Sequence, residues 1–262
     1  MKVFYILRKE WLEILRNKFI IFNMFLIPAI LISLPLLVAF SIERVSLTNP
    51  ADELEGLYPS VSLSQDLAAE QEELRIIILN QSMLMFLMIP ILLPLGIVLH
   101  SIISEKNQRS LEPLLATPIK VWELLTGKGL STAIPTVLVT WLAFAVFATV
   151  LRFTVTPSIY VEVIKPMTIL SIIVLPILLT TMAVCAGIIV SSLVNDIRLA
   201  QQIGSLIVLP IVALAITQVA SKISHSLTAF ILGIAGFVVL DALMFYLMLQ
   251  AFRRESILTR WQ

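Results

Sequence analysis

Six long apolar runs divide the chain, and shorter polar segments separate them. Each run is long enough to cross the ~30 Å hydrocarbon layer of a bilayer as a helix. The pattern therefore predicts an all-α membrane protein whose single transmembrane domain covers 1–262. The six predicted spans are 19–42, 76–101, 130–151, 167–193, 199–219 and 227–249.

A different pattern precedes the first run. Over 1–18, apolar and charged residues recur at helical spacing on opposite faces, which is typical of an amphipathic helix lying in the membrane interface. A plain juxtamembrane anchor is the alternative interpretation. The apolar face holds Phe4, Leu7, Trp11, Ile14 and Leu15, and the charged face holds Lys2, Lys9, Glu13 and Arg16.

Composition agrees with a membrane protein. Hydrophobic residues make up 59% of the chain and charged residues 13%, with a mean hydropathy of +1.00. A water-soluble domain carries about 25% charged residues, so that class is excluded. The net charge is +1 and no basic stripe occurs, so we expect no nucleic acid partner.

The distribution of basic residues predicts the orientation. If the N-terminus is cytoplasmic, 13 of the 18 Lys and Arg residues fall in segments on the inner side, where such residues are enriched. We therefore expect a multi-pass protein of the plasma membrane with both termini in the cytoplasm and lipids around its spans. The segment 43–75 is then extracytoplasmic, and its residues from Ser64 onward are predicted to form a helix entering the second span.

The sequence lacks the motifs that ATP binding, zinc binding and disulfide formation require. The sequence has no GxxxxGK[ST] loop, so this chain is not expected to bind ATP itself. It has no HExxH, its histidines are predicted to lie at opposite ends of different spans, and its only cysteine is Cys185. We therefore predict no metal, no cofactor and no enzyme activity in this chain.

Asp241 is the one ionisable residue well inside a predicted span. Intramembrane charges are costly and are often functional. Asp241 is interpreted either as a hydrogen-bonded contact between helices or as a binding group for a coupling ion or substrate.

The segment 104–128 differs from its surroundings because it is polar and falls between the second and third spans. Ser110 can cap a short helix, and Thr117 with Pro118 can begin a second helix that Gly127 ends. The first short helix has an apolar face but cannot span a bilayer. It lies either against the membrane or in a groove of another protein. That face holds Leu111, Leu114 and Leu115.

The same segment carries a recognisable motif. Its residues are Glu105, Lys106, Arg109, Ser110, Leu111, Glu112, Leu114, Leu115, Ala116, Thr117, Pro118, Glu123, Leu124, Leu125, Gly127 and Lys128. The motif resembles the cytoplasmic motif of ABC-2 type permeases, the membrane subunits of one group of ABC exporters, and it is most similar to the sodium-efflux branch. The amphipathic N-terminal helix and the six predicted spans extend the resemblance over the whole chain.

The resemblance implies partners and site residues. Two permease subunits, identical or related, are expected to pair, and each docks on a separate ATPase that binds ATP and magnesium. The loop after the second span is expected to form the coupling helix, with Leu111 to Ala116 in the ATPase groove and Glu105 and Arg109 fixing its base. The full predicted coupling set is Glu105, Arg109, Leu111, Glu112, Leu114, Leu115, Ala116, Thr117, Pro118 and Glu123.

Three functions remain open from the residues themselves. The first is the permease subunit of an ATP-driven exporter, the second an ion-coupled carrier using Asp241, and the third a scaffold that recruits a soluble partner without transport. The substrate is not specified by the sequence. The mostly apolar spans with scattered amides, such as Asn23 and Gln201, favour a lipid-like or amphipathic molecule.

Overall fold

The chain is all-helical in the computed structural model, which describes residues 2–47, 63–108, 121–220 and 227–251. Eight helices account for nearly all of these residues, which include no β-strand. The helices are α1 (Lys2–Arg16), α2 (Lys18–Leu47), α3 (Leu63–Asn107), α4 (Val121–Thr154), α5 (Pro157–Val163), α6 (Pro166–Leu193), α7 (Ile197–Ala220) and α8 (Leu227–Ala251).

Five of these helices contain stretches long and apolar enough to cross a membrane. The stretches are Ile20–Val38, Glu72–Asn107, Trp122–Thr154, Pro166–Leu193 and Phe230–Ala251. The helix α7 covers the predicted run 199–219, but its described residues do not add a sixth stretch of this kind. The predicted all-helical class is confirmed, and the described residues support five spans.

The helix α3 lies at the centre of the bundle, where it packs against α2, α4, α6 and α7. Its side chains form the largest part of the buried core. Phe86 is fully buried and meets Phe144 and Phe147 of α4 edge to face, with ring centroids 5.8 and 5.0 Å apart. The predicted helix leading into the second span is present, and it begins at Leu63, so Ser64 lies inside it.

Glycines allow two helices to approach α3 closely. A Cβ atom at Gly187 of α6 would lie 3.2 Å from Val98 Cγ1, and one at Gly204 of α7 would lie 3.3 Å from Leu95 Cδ1. Small residues at such contacts are typical of membrane helix packing. The C-terminal half of α3 is therefore held tightly between α6 and α7.

The helix α1 packs across the beginning of α4. Ile6, Glu10 and Ile14 form its buried face, while Phe4 and Leu15 are exposed. The prediction that Gly127 ends a helix is wrong, because α4 runs without interruption through this residue. A Cβ atom at Gly127 would lie 2.8 Å from Ile6 Cγ2. The absence of a side chain at Gly127 therefore allows the close contact between α1 and α4.

Candidate functional site

A buried ammonium group joins three helices where α3 ends and α4 begins. Lys128 of α4 has a side chain only 4% exposed, and its Nζ lies 2.9 Å from Glu10 Oε1 of α1 and 2.8 Å from Glu105 Oε1 of α3. Glu10 is equally buried. Charged groups at this depth are stable only when they are paired. Lys128 therefore connects α1, α3 and α4 electrostatically.

Lys9 extends the network towards solvent. Its Nζ lies 3.2 Å from Glu13, 3.5 Å from Glu105 and 3.8 Å from Glu10. Partial burial by itself lowers the pKa of Lys9, but attraction by Glu105, Glu10 and Glu13 outweighs it and leaves the pKa raised. Lys9 is therefore cationic throughout the physiological pH range. We call Lys9, Glu10, Glu13, Glu105 and Lys128 the charged cluster.

Hydrogen bonds from uncharged side chains surround the charged cluster. Ser101 of α3 donates to Glu10 Oε2 at 3.3 Å and accepts from Lys128 Nζ at 3.2 Å. Trp11 of α1 donates its indole N–H to the carbonyl oxygen of Ser131 on α4 at 3.0 Å. Because these bonds join the same three helices, the position of α1 is fixed by several independent contacts.

The acidic side chains of the charged cluster are close enough to suggest a cation site. Carboxylate oxygens of Glu10, Glu13 and Glu105 lie within 4.8 Å of one another. However, the Lys9 and Lys128 ammonium groups contact these same carboxylates. Ion pairing thus accounts for the arrangement, and we assign no metal to it.

The predicted coupling residues divide into two groups. Glu105 belongs to the charged cluster, and Glu123 is half-buried in the first turn of α4. The other residues lie outside the described part of the chain. They are Arg109, Leu111, Glu112, Leu114, Leu115, Ala116, Thr117 and Pro118. They belong to the segment 109–120, which connects α3 and α4, two of the three helices that the charged cluster joins.

Sequence reasoning missed Glu10, and it placed Lys128 in the motif without giving it a role in the site. Glu10 interrupts an apolar stripe of α1 between Ile6 and Ile14, four residues from each, so a charge on that face was a signal of a buried partner. Lys128 lies between two glycines in an otherwise apolar region. Neither feature identifies the partner, because 118 residues separate Glu10 from Lys128.

Asp241 lies on α8, outside the charged cluster. It is 9% exposed, and among the described residues its Oδ1 has no hydrogen-bond partner. Met248 of the same helix packs with Val184 and Cys185 of α6. The structure therefore places Asp241 at a buried position of α8, which packs against α6, and not beside Glu105, the coupling residue in the charged cluster.

The sequence matches the model of one protein family, described as ABC-2 family transporter protein, over residues 4–254. No curated protein matches the chain. The family match spans every helix described above and confirms the predicted family, without extending to the sodium-efflux branch. Permeases of this family carry no ATPase domain and act with separate ABC ATPase subunits. The chain belongs to the ABC-2 family of transporter membrane proteins.

Proposed function

We propose that this chain is the permease subunit of an ATP-driven exporter and that the charged cluster transmits movement of the ATPase to the membrane helices. The observation that carries this proposal is the buried Lys128, paired with Glu10 and Glu105 on two other helices. These pairs lie at the base of the segment 109–120, which the sequence motif assigns to ATPase docking.

The positions of Glu105 and Lys128 along their helices support this role. Glu105 lies two residues before the end of α3, and Lys128 lies seven residues after the start of α4. A force applied to the segment 109–120 acts on both helix ends, and the ion pairs pass it to α1. Because the three helices move together, two states of the ATPase can favour two arrangements of the bundle.

The remaining parts of the proposal follow from the family and the charge distribution. Leu111 to Ala116 are proposed to bind the ATPase groove, with Glu105 and Arg109 at their base. ATP and magnesium bind to the ATPase. Two permease subunits, identical or related, form the translocation path. The basic residues favour a plasma-membrane orientation with both termini in the cytoplasm, and α7 is proposed as the fifth of six spans.

Copurification tests the docking assignment. Leu114→Asp places a carboxylate on the apolar docking face, so we expect the ATPase to be lost from the detergent-solubilised complex. Leu193→Asp is a matched control, because Leu193 is 60% exposed at the end of α6 and lies outside the docking segment. Copurification is measured by mass spectrometry of the affinity-purified chain.

The two variants are compared at equal membrane expression. An ATPase that remains bound to Leu114→Asp as firmly as to the control contradicts the assignment of the segment 109–120. A wild-type complex that contains no protein with a P-loop contradicts the exporter itself.

The alternative of an ion-coupled carrier depends on Asp241. Its burial and its Oδ1, which has no hydrogen-bond partner among the described residues, are the observations in favour of it. A carrier usually needs several ionisable groups that face one another. Asp241 is the one carboxylate within the described part of α8, so we favour the exporter.

A further inference from the structure

The helix α1 has an exposed face opposite the one that packs into the bundle. Its buried residues Ile6, Glu10 and Ile14 follow one another at four-residue spacing. Six exposed residues lie on the other side of the helix, about half a turn away from Glu10. We call them the outer face of α1, and they are Phe4, Tyr5, Arg8, Leu12, Leu15 and Arg16.

Two arginines give the outer face a positive charge. The ion pairs around α1 that the described residues form belong to the charged cluster, and neither Arg8 nor Arg16 takes part in them. Glu13, which lies beside these arginines, is paired with Lys9 at 3.2 Å. Lys18, exposed at the start of α2, also forms no ion pair within the described part of the chain. Cations outside the charged cluster therefore remain available to an anion.

An open cavity of about 390 Å³ runs along the outer face between these side chains. Three of the residues that line it are cationic and one is anionic, so a phosphate group is attracted to it. Guanidinium groups bind phosphate oxygens through paired hydrogen bonds. The lining residues are Tyr5, Arg8, Lys9, Leu12, Glu13 and Arg16.

The connection to α2 holds the outer face at the membrane surface. Only Asn17 separates α1 from α2, and the apolar stretch of α2 that can cross a membrane begins at Ile20. The backbone N–H of Ile20 donates to Asn17 Oδ1 at 3.4 Å, which caps the start of α2. The end of α1 therefore lies within a few residues of the boundary between lipid and water.

The outer face combines its charges with large apolar side chains. Phe4 and Leu15 are each 66% exposed, and Leu12 lies between the two arginines along the helix. A phosphate ion in solution would neutralise Arg8 and Arg16 but leave the apolar side chains in water. A bilayer of anionic phospholipids supplies acyl chains for the apolar residues and phosphates for the arginines.

We propose that the outer face of α1 binds anionic phospholipids and that this binding regulates the exporter. The lipid phosphates lie against Arg8 and Arg16, with Leu12 in the acyl region between them. Glu10, on the opposite side of the same helix, holds Lys128. Lipids and the charged cluster therefore fix α1 from two sides, and without anionic lipid α1 transmits movement of the ATPase less completely. The regulation rests on the proposed exporter function, whereas the lipid binding does not.

Binding is measured on the purified full-length chain in lipid nanodiscs. A bimane fluorophore is attached to the Leu12→Cys variant, and Cys185 does not interfere because it is buried. Phospholipids with brominated chains quench the fluorophore on contact. From quenching against mole fraction, we expect at least about tenfold preference for phosphatidylglycerol over phosphatidylcholine, since each basic residue near the surface contributes about fivefold.

The Leu193→Cys variant is the control for position. Leu193 is 60% exposed at the end of α6 and lies outside α1, so the same measurement should show a preference below about twofold. Equal quenching of the Leu12→Cys variant by the two lipids overturns the proposal. Absence of quenching by either lipid also overturns it, because protein then covers the outer face.

Substitution of the arginines tests the role of each charge. In the Leu12→Cys chain, Arg8→Gln and Arg16→Gln should each lower the preference for phosphatidylglycerol about fivefold, whereas Arg8→Lys should retain most of it. Arg198→Gln is the matched control, because Arg198 is an exposed arginine near the start of α7, and it should leave the preference unchanged. An equal loss in Arg198→Gln overturns the assignment to the outer face, as does an unchanged preference in both α1 variants.

ATP hydrolysis by the reconstituted complex tests the regulation separately. Adding phosphatidylglycerol to phosphatidylcholine vesicles should raise the hydrolysis rate of the wild-type complex. The variant that combines Arg8→Gln with Arg16→Gln should copurify equally with the ATPase but lose this increase. A wild-type rate that does not respond, in a chain that binds phosphatidylglycerol on the outer face, overturns the regulation. A wild-type chain that copurifies with no ATPase instead contradicts the proposed function, and the lipid binding stands.

Discussion

Lys128 illustrates how a single residue connects distant parts of this chain. Its ammonium group is held by Glu10 and Glu105, and Ser101 accepts a further hydrogen bond from it. A buried ion pair of this kind does not guarantee net stability, because the cost of removing charges from water offsets much of the attraction. Its consistent effect is to disfavour arrangements in which one partner is missing.

Removal of the Lys128 charge should therefore be strongly destabilising. Lys128→Met leaves Glu10 and Glu105 buried beside each other, and we expect a loss of about 3–5 kcal/mol. Lys128→Arg retains the charge and serves as the control, with a smaller loss. Thermal unfolding in detergent, followed by tryptophan fluorescence, measures the difference.

A second substitution tests whether electrostatics is the cause. Glu10→Gln combined with Lys128→Met removes one of the two carboxylates that have lost their buried partner, so the double variant should be more stable than Lys128→Met alone. If the two losses simply add, Lys128 acts through packing and not through its ion pairs.

The sequence predicts the helix α1 but not its contact with α4. The helical periodicity of 1–18 is sufficient to predict α1, because it depends only on neighbouring residues. The same periodicity does not reveal that Ile6 contacts Gly127, since that contact depends on how two distant segments pack. Glycine is common at helix ends, and this led to the wrong prediction that Gly127 ends a helix.

The contact between α1 and α4 can be tested by adding one methyl group. Gly127→Ala places a Cβ 2.8 Å from Ile6 Cγ2, and we expect a loss of about 1–3 kcal/mol from overpacking. Ile6→Ala in the same chain should restore part of the stability. Gly236→Ala is the control, because a Cβ there meets no atom within 4 Å. A normal unfolding temperature for Gly127→Ala alone would show that α1 does not lie where the structure places it.

The sequence specifies the helices of this protein better than it specifies the candidate site. The apolar runs predict α6, α7 and α8 to within two residues at each end, since membrane spans are determined by length and hydropathy. The helices α2, α3 and α4 extend beyond their apolar runs into polar sequence. The charged cluster could not be predicted, because ion pairs between α1, α3 and α4 have no local pattern. Glu105 was predicted from the family resemblance, which identified the residue but not its partners.

At the scale of the whole molecule, the exporter and carrier hypotheses differ in what Asp241 must do. In an exporter, energy comes from the ATPase, and Asp241 is a packing contact between α8 and α6. Asp241→Asn is nearly isosteric and should then leave ATPase copurification unchanged and ATP hydrolysis by the complex within about twofold of wild type. A variant that assembles normally but loses ATP hydrolysis gives Asp241 a direct role in the transport cycle.

The length of α3 has a mechanical consequence. The helix spans Leu63–Asn107 with Pro90 and Pro94 inside it, so it is about 68 Å long and its weakest point is off centre. If it pivots at Pro90, the arm towards Leu63 is about 1.6 times as long as the arm towards Asn107. Because the two prolines remove backbone hydrogen bonds at this point, the angle between the two arms can change there, and a displacement at Glu105 is taken up as bending of α3 inside the bundle.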